Sequence, residues 1–313
     1  MKRMFQRIVC GSILLVLPIF NLPAFAQAIG DFNTGSTVSN AGPGKVGFAA
    51  SFDGSEQFNA DIDHGGSFNV FRGRFAAAVP VRFNDSFGLD TQLKYQFDSY
   101  GFNKTFDPWG TINTLQATTL LKWQMNEKWA FYGGPTFRFA VEDSTDLGRG
   151  FTAGGIAGFN FAVSSNLSLG AGVAYMGQIE NSSKILPIIT VNWQIDEKLR
   201  LTVGFLDVAT SGYGAELTYA VAPQWQLCLG AQYHRVRFRL DPNGSTPDGI
   251  GQESAGQWYV RANYNLNRNI SLSAFAGVVA GGGLRVEDQH GRQLFDNNYD
   301  TTGMAGGEVR VHF

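Results

Sequence analysis

The chain has 313 residues, and 24 lysines and arginines against 26 aspartates and glutamates give a formal net charge of −2. This balance excludes the basic surface that nucleic-acid binding requires, so we expect no nucleic-acid partner. Charged residues make up only 16% of the chain, whereas 39 glycines and 26 phenylalanines are many for its length, a composition that favours strands and turns over helices.

The N-terminal segment predicts a cleaved signal peptide at residues 1–26. A basic start at residues 2–7 precedes a short apolar run at 8–20, and Ala24-Phe25-Ala26 supplies the small residues that signal peptidase accepts. The alternative is a transmembrane anchor, which needs about 20 apolar residues, more than this run offers. We therefore expect export. Only Cys228 remains after cleavage, so the mature chain forms no internal disulfide.

Residues 27–43 carry no strand pattern, and we expect a periplasmic segment or a partial plug there. From residue 44 to 313 apolar and polar residues alternate with a period of two, which predicts strands with one apolar face. In chain order, the apolar faces of the predicted strands contain Phe48, Phe75, Leu93, Leu121, Phe137, Phe159, Leu169, Ile189, Val203, Leu217, Leu229, Val260, Ala274 and Val311. Around His234 the alternation slips, which indicates either a β-bulge or a strand that projects beyond the membrane.

The connections between these segments alternate between tight and mostly longer ones. The tight connections lie near residues 84, 126, 165, 197, 223 and 267. The longer connections lie near residues 53–67, 98–110, 142–149, 179–184, 207–212, 241–256 and 285–300. This asymmetry is typical of membrane barrels, which have short periplasmic turns and long external loops.

Aromatic residues form two rows on the apolar face. Beside the tight turns are Phe83, Phe87, Trp123, Trp129, Phe161, Trp193, Tyr219, Tyr264 and Phe313. At the opposite strand ends are Phe52, Phe71, Phe97, Phe151, Tyr175, Phe205, Tyr213, Tyr233 and Trp258. A soluble core would concentrate such rings centrally, whereas two rows mark two membrane interfaces. We predict an all-β fold, a closed antiparallel transmembrane β-barrel over residues 44–313. We expect about 14 strands, or 12 if weak segments near 185–220 are misread.

The C-terminal residues 308–313 alternate apolar and polar side chains and end on an aromatic ring. With the signal peptide and the strand plan, this segment resembles the bacterial outer-membrane β-barrel superfamily, whose members share such a last strand. The resemblance implies an outer-membrane location among lipid. It also implies that Val309, Val311 and Phe313 form the signal read by the barrel-assembly machinery.

Charged residues on the polar faces are expected to line the lumen. The basic ones that could form an anion-selective wall are Arg72, Arg74, Arg82, Lys94, Lys122 and Arg138. The lumen acids are Asp90, Glu216 and Glu308. Most other acids, including Asp53, Glu253 and Glu287, fall in the predicted external loops. Two interpretations stay open, namely a cationic wall that favours anions and a lumen of paired charges without a role in selectivity.

A barrel of about 14 strands lies between those that fill with side chains and those that enclose a wide channel. We therefore expect a narrow pore for passive diffusion of small polar or anionic solutes. A structural or adhesive barrel without conductance is the alternative. A rim hydrolase built on Asp61-Ile62-Asp63-His64 is a weaker hypothesis. We predict no enzyme activity, no catalytic residues, no metal site and no cofactor, because neither a phosphate loop nor metal-ligand spacing occurs.

Overall fold

The structure, a computed structural model, describes residues 46–63, 65–103 and 107–313. The predicted signal peptide at 1–26, the segment 27–43 and His64 of the hydrolase hypothesis lie outside the described residues. Fifteen strands cover most of the described part. They are β1 (Ala49–Asp61), β2 (Ser67–Arg82), β3 (Phe87–Asn103), β4 (Thr111–Gln124), β5 (Trp129–Glu142), β6 (Phe151–Ser164), β7 (Leu167–Gln178), β8 (Asn181–Gln194), β9 (Leu199–Val208), β10 (Thr210–Ala222), β11 (Trp225–Arg239), β12 (Ile250–Asn265), β13 (Ile270–Glu287), β14 (Gln293–Tyr299) and β15 (Thr302–His312).

These strands close into one barrel of 14 antiparallel strands, which confirms the predicted fold class. Each strand from β1 to β13 pairs with the next, and β15 pairs with both β13 and β1. The short β14 extends the line of β15 along β13 and adds no separate strand to the ring, since Gly282 pairs with Tyr299 and Val279 with Thr302. Closure gives each strand of the ring a partner on both sides along at least part of its length.

The outer face of the ring is apolar. Leu93, Val173 and Val260 point outward and are 48%, 52% and 55% exposed. A closed sheet with an apolar exterior satisfies its backbone internally and presents hydrocarbon to lipid, as a membrane barrel must. Among the described residues, no helix has both the length and the apolar character needed to cross a membrane.

The aromatic row beside the tight turns lies on this outer face. Phe87 stacks on Trp123 with ring centroids 6.0 Å apart, and Trp129 packs on Phe161 at 4.7 Å. The turns themselves are short, and Asx side chains close them. In one of them, the side chain of Asn84 accepts hydrogen bonds from the backbone N–H groups of the two residues that follow Asp85.

At the other end, the strands extend farther than predicted. Residues 53–61 and 98–103, expected in external loops, continue β1 and β3. The remaining external connections include 107–110, 143–150 and 240–249, while β7–β8 and β9–β10 are joined by one or two residues. Alternation weakens above a membrane because both faces of a strand can then be buried, so the pattern hid these extensions.

The external half of the interior is a packed apolar core, called here the apolar cap. Its members include Phe68, Val70, Tyr100, Trp109, Ile112, Phe238, Leu240, Leu284, Val286 and Tyr299. Trp109 meets Phe238 edge-on at 5.1 Å, and Phe68 meets Tyr299 edge-on at 4.9 Å. Val141 of β5 also pairs directly with Arg239 of β11, which pinches the ring at this end. The cap fills the space between the strands on the external side.

The slipped alternation near His234 does not come from a bulge. The register of β11 with β12 runs without a break from Trp225 opposite Tyr264 to Arg239 opposite Ile250. The strand therefore projects beyond the membrane, the second of the two predicted explanations. In this projecting part the interior face of β11 is apolar, as in a water-soluble protein, and Val236 and Phe238 on it are buried in the cap.

Candidate functional site

The β9–β10 hairpin leaves the barrel wall and enters the lumen. β8 and β9 pair at only four positions, from Val191 opposite Val203 to Gln194 opposite Arg200. The next residue, Gly204, has a φ of +151°, a backbone conformation that favours glycine. The hairpin continues as a regular β9–β10 pair to a tip at Ala209.

Two sequence predictions on this hairpin were wrong. Residues 207–212 were expected in an external loop, but they form the tip inside the barrel. Phe205 was expected in the outer aromatic row, but it is 8% exposed and packs edge-on against Tyr213 at 5.4 Å, within a second interior cluster that includes Leu120 and Ile188. The bend at Gly204 turns these side chains away from lipid.

Asp207 fastens the hairpin to the opposite wall. Arg74 of β2 donates to one carboxylate oxygen of Asp207 at 2.5 Å, and Lys94 of β3 donates to the other at 2.9 Å. Lys94 also donates to the hydroxyl of Ser211 at 2.9 Å. All three charged side chains are at most 5% exposed. Charge-assisted hydrogen bonds are the stronger kind, so this cluster holds the hairpin across the lumen.

Amides on the adjacent strands hold the tip from its other side. The Gln232 side chain donates to the carbonyl oxygens of Val208 at 2.7 Å and Thr210 at 3.0 Å. The Thr210 hydroxyl donates to Gln257 at 3.0 Å. Val208 and Ala209 are 3% exposed and belong to the apolar cap. The hairpin thus contacts both the charged middle of the lumen and the cap above it.

A second buried ion cluster lies beside the first. Arg72 of β2 donates to Glu253 of β12 at 2.8 Å and lies 3.7 Å from Asp98. The hydroxyls of Tyr100 and Tyr299 donate to Glu253 at 2.6 and 3.1 Å. The cluster joins β2 and β3 to β12, which are not neighbours in the ring, so it ties the barrel together under the cap.

Three acids predicted in the external loops lie elsewhere. Asp53 accepts a hydrogen bond from Arg74 at 2.7 Å in the interior, and Glu253 belongs to the cluster just described. Glu287 pairs with Arg237 at 2.5 Å near the external rim. Their strands extend beyond the predicted ends, so the interior holds more acid than the sequence indicated.

The other predicted lumen residues lie along the interior wall. Lys122 forms an ion pair with Asp90, and Arg261 with Glu216 at 2.6 Å. Arg310 pairs with Glu308 at 2.7 Å. Near the periplasmic end these pairs are partly exposed, in contrast to the packed external half.

Two predicted basic residues have different surroundings. Arg82 lies beside a tight turn and pairs with the exposed Asp85 at 3.2 Å. Arg138 is 5% exposed, and its guanidinium donates to the carbonyl oxygen of Arg237 at 3.3 Å. Of the predicted wall, the structure thus brings Arg74 and Lys94 together on one acid, while Arg82 stands apart at the mouth.

The departure of β9 leaves one edge of β8 without a strand above Val191. Pro187 lies in this stretch and has no N–H, so no backbone donor is left without a partner at its position. At Ile189 the hydroxyl of Tyr213 takes the place of the missing strand, because it accepts from the N–H at 3.3 Å and donates to the carbonyl oxygen.

The described residues give no support to the hypothesis of a hydrolase at the external rim. The carbonyl oxygen of Asp61 accepts the backbone N–H of Asp300 at 2.8 Å, and the N–H of Asp63 donates to the Asn298 carbonyl at 3.0 Å. These are ordinary backbone contacts between the end of β1 and the segment around the end of β14. Within residues 46–63, 65–103 and 107–313, no group of histidine, cysteine and acidic side chains could hold a metal ion.

Sequence reasoning missed the role of Asp207 and its hairpin. Phe205 and Tyr213 occupy positions that fit the outer aromatic row of two membrane strands, so the pattern gave no warning that the segment between them turns inward. Two signals were present, namely a carboxylate in an otherwise apolar segment and a proline at position 187 of a strand predicted to be internal.

A family model described as "Domain of unknown function (DUF6268)" matches residues 147–306, just over half of the chain. None of the curated proteins matches the sequence. Among solved structures, the chain is similar to an outer-membrane channel from Pseudomonas putida F1, with 11% identity, 87% of this chain and 97% of that chain covered, and a TM-score of 0.47.

The chain is also similar to a FadL homologue from Pseudomonas aeruginosa, with 11% identity, coverages of 86% and 90% and a TM-score of 0.44. A third similar structure is OmpT, an outer-membrane protein of Vibrio cholerae, with 10% identity, coverages of 89% and 100% and a TM-score of 0.39. At such low identities and scores, the likeness adds no argument to the fold seen in this chain.

Proposed function

We propose that the chain, a closed β-barrel that belongs to the family described as a domain of unknown function (DUF6268), is a gated outer-membrane channel for the passive diffusion of small polar solutes. The observation that carries this proposal is the β9–β10 hairpin folded into the lumen. A hairpin that is fastened by a few polar contacts can be displaced without dismantling the sheet. In this conformation the channel is shut.

The hairpin is suited to act as the gate because it contacts both barriers in the lumen. Asp207 lies between Arg74 and Lys94 in the charged middle, and Val208 and Ala209 fill part of the apolar cap. Withdrawal of the hairpin therefore removes side chains from the charged middle of the lumen and from the apolar cap at the same time. Two packings of one element that differ by a few kcal/mol are enough for gating.

An anionic preference follows from the same contacts. In the shut state Asp207 forms ion pairs with both Arg74 and Lys94. When the hairpin withdraws, its carboxylate leaves, and Lys94 and Arg138 face the opened path together with Arg74, which keeps Asp53 as its partner. Fixed cations along a narrow path favour anions. The cationic wall is thus a feature of the open state in this proposal.

One observation favours the alternative of a structural barrel without conductance. The apolar cap contains side chains from many strands, and Phe68, Ile112 and Phe238 in it are fully buried. A permanently filled external half would leave no path. The two functions differ in whether the purified barrel ever conducts.

Single-channel recording in planar bilayers tests the proposal. The wild type should show long closed periods with brief conductance steps. Asp207→Asn removes the acid that Arg74 and Lys94 share, although Arg74 keeps its ion pair with Asp53. Breaking a buried ion pair costs about 3–5 kcal/mol, so the shut state should lose at least about tenfold in population. The matched control is Glu308→Gln, which removes a lumen acid that does not contact the hairpin.

Folding of each variant is checked by the heat-dependent shift of barrel mobility in gels. Folded Asp207→Asn that is as silent as Glu308→Gln would contradict the gate. In the Asp207→Asn background, a salt gradient should give a reversal potential on the anion side. Replacement of Arg74 and Lys94 by glutamine should then move it toward zero.

We also infer that the last strand is the assembly signal. The side chain of Val309 is 44% exposed on the outer face of β15, and that of Phe313, which follows the strand, is 76% exposed, so a factor could read both before the barrel closes.

A further inference from the structure

One face of the β9–β10 hairpin carries an aromatic pair next to a carboxylate. Phe205 lies opposite Tyr213 in the register of the two strands. Two residues farther along, Asp207 lies opposite Ser211. Side chains two residues apart on a strand point to the same side, so all four face one way. Their contacts lie on the inner wall formed by β2 to β8.

The aromatic pair lies against an apolar patch of this wall. Phe205 belongs to a buried cluster whose other members lie on β4 to β8, namely Leu120, Tyr132, Ile156, Ala174, Met176 and Ile188. Their neighbours in sequence Leu121 and Ile189 face outward and are 48% and 61% exposed, so the patch lies at the depth of the lipid. Purely polar solutes gain nothing from apolar surface on their path. Their passage alone therefore does not account for this patch.

The carboxylate lies on two cations of the same wall. Arg74 and Lys94 both donate to Asp207, and Lys94 also donates to the hydroxyl of Ser211 at 2.9 Å. A strand rises about 3.4 Å per residue, so Phe205 and Asp207 are about 7 Å apart along the hairpin. Because one strand contacts both places, the apolar patch and the two cations are within reach of a single small molecule.

We propose that this wall is a binding site for small carboxylates that carry an aromatic ring, and that the hairpin occupies it as an internal ligand in the shut state. When the hairpin withdraws, it takes its own ring and carboxylate away. The carboxylate of the solute then accepts hydrogen bonds from Lys94 and Arg74, and its ring lies on the patch that Phe205 covered. Lys94 is the main anchor, because Arg74 also keeps its ion pair with Asp53.

This inference rests on the proposed gate and names the class of solute that it admits. Solute and hairpin compete for the same wall, so bound solute shifts the barrel toward the open state. The apparent affinity is reduced by the small fraction of barrels whose hairpin has withdrawn. A variant with a weakened hairpin should therefore bind the solute more tightly than the wild type.

Isothermal titration calorimetry of the detergent-solubilised mature protein with phenylbutanoate tests the site. This probe has a ring and a carboxylate joined by a short methylene chain. Asp207→Asn should bind it at least about tenfold more tightly than the wild type, whereas the matched control Glu308→Gln should bind it like the wild type. Adding Lys94→Gln to Asp207→Asn should weaken binding at least about tenfold, because a charge-assisted contact is lost. An unchanged affinity in this double variant overturns the proposal.

Two related probes test the two halves of the site separately. Butanoate lacks the ring, and phenylbutanol lacks the carboxylate. Each should bind to Asp207→Asn at least about tenfold more weakly than phenylbutanoate, since one set of contacts is missing. If either probe binds as tightly as phenylbutanoate, an aromatic carboxylate is not the ligand and the proposal is overturned.

Single-channel recording separates failure of this inference from failure of the gate. If Asp207→Asn opens the channel but phenylbutanoate does not bind, the gate stands and the inference is overturned. If phenylbutanoate binds as expected but no variant conducts, the site stands and the channel function fails. Should Asp207→Asn not fold, the wild type decides. Phenylbutanoate should raise its open probability more than butanoate does, and equal effects overturn the inference.

Discussion

The β2–β3 wall and the β8–β9 seam are both made of consecutive antiparallel strands, but they differ in how far the strands pair. β2 and β3 pair without a break from Ser67 opposite Asn103 to Arg82 opposite Gly88. β8 and β9 pair only from Val191 to Gln194. A ring can therefore close through a very short seam, and the residues released from the seam become available for another role.

The two regions are linked through Asp207. The cations that hold it, Arg74 and Lys94, stand on the fully paired wall, whereas Asp207 itself comes from the strand that leaves the seam. A rigid wall offers fixed partners, and a short seam allows one hairpin to move. This division places the movable element where few ladder hydrogen bonds have to break.

Among the substitutions that test this difference between the wall and the seam, the largest effect on channel opening is expected at Gly204, where the backbone bends. Gly204→Val places a β-branched residue at a φ of +151°, which strains the bend by about 1–3 kcal/mol although an added Cβ would meet nothing closer than 3.5 Å. The inward hairpin should lose population by a factor on the order of ten or more. Single-channel recordings should show a higher open probability.

The matched control for this change is Gly54→Val. Gly54 lies on β1, where an added Cβ meets nothing within 4 Å and the backbone is extended. Equal channel activity in the two folded variants would mean that Gly204 does not set the direction of the hairpin.

A smaller effect is expected at the open edge of β8. Tyr213→Phe removes the hydroxyl that bonds the backbone of Ile189, so a peptide group loses its partner at a cost of about 1 kcal/mol. The same substitution at Tyr219, on the same strand but facing lipid beside the tight turns, should cost far less. Urea unfolding in lipid vesicles measures both, and equal losses of stability would contradict the capping role.

The sequence predicted the closed barrel but not the β9–β10 hairpin that lies inside it. Alternation and aromatic rows depend on contact with lipid, so they located the strands and gave the count of 14. The hairpin escaped because Phe205 and Tyr213 keep the period of a membrane strand while facing inward. Periodicity reports that two faces differ, and it does not report which one meets lipid.

The charges of the interior were predictable only in part. Arg72, Arg74 and Lys94 were assigned to the lumen from their strands. Their partners Asp53 and Glu253 were assigned to loops, because alternation fades where β1 and β12 project above the membrane. Pairing between distant strands, such as that of Arg72 with Glu253, depends on closure of the ring and has no local signal in the sequence.

The position of the hairpin is tested most directly by zero-length cross-linking of the purified barrel with a carbodiimide. The Nζ of Lys94 lies 2.9 Å from the carboxylate of Asp207, so an amide bond between these two residues should be found by mass spectrometry. It should disappear in Lys94→Arg, while the more accessible pair of Lys122 with Asp90 still couples. If Asp207 is instead labelled by added glycine ethyl ester and no bond to Lys94 forms, the hairpin lies outside the lumen and the account is contradicted.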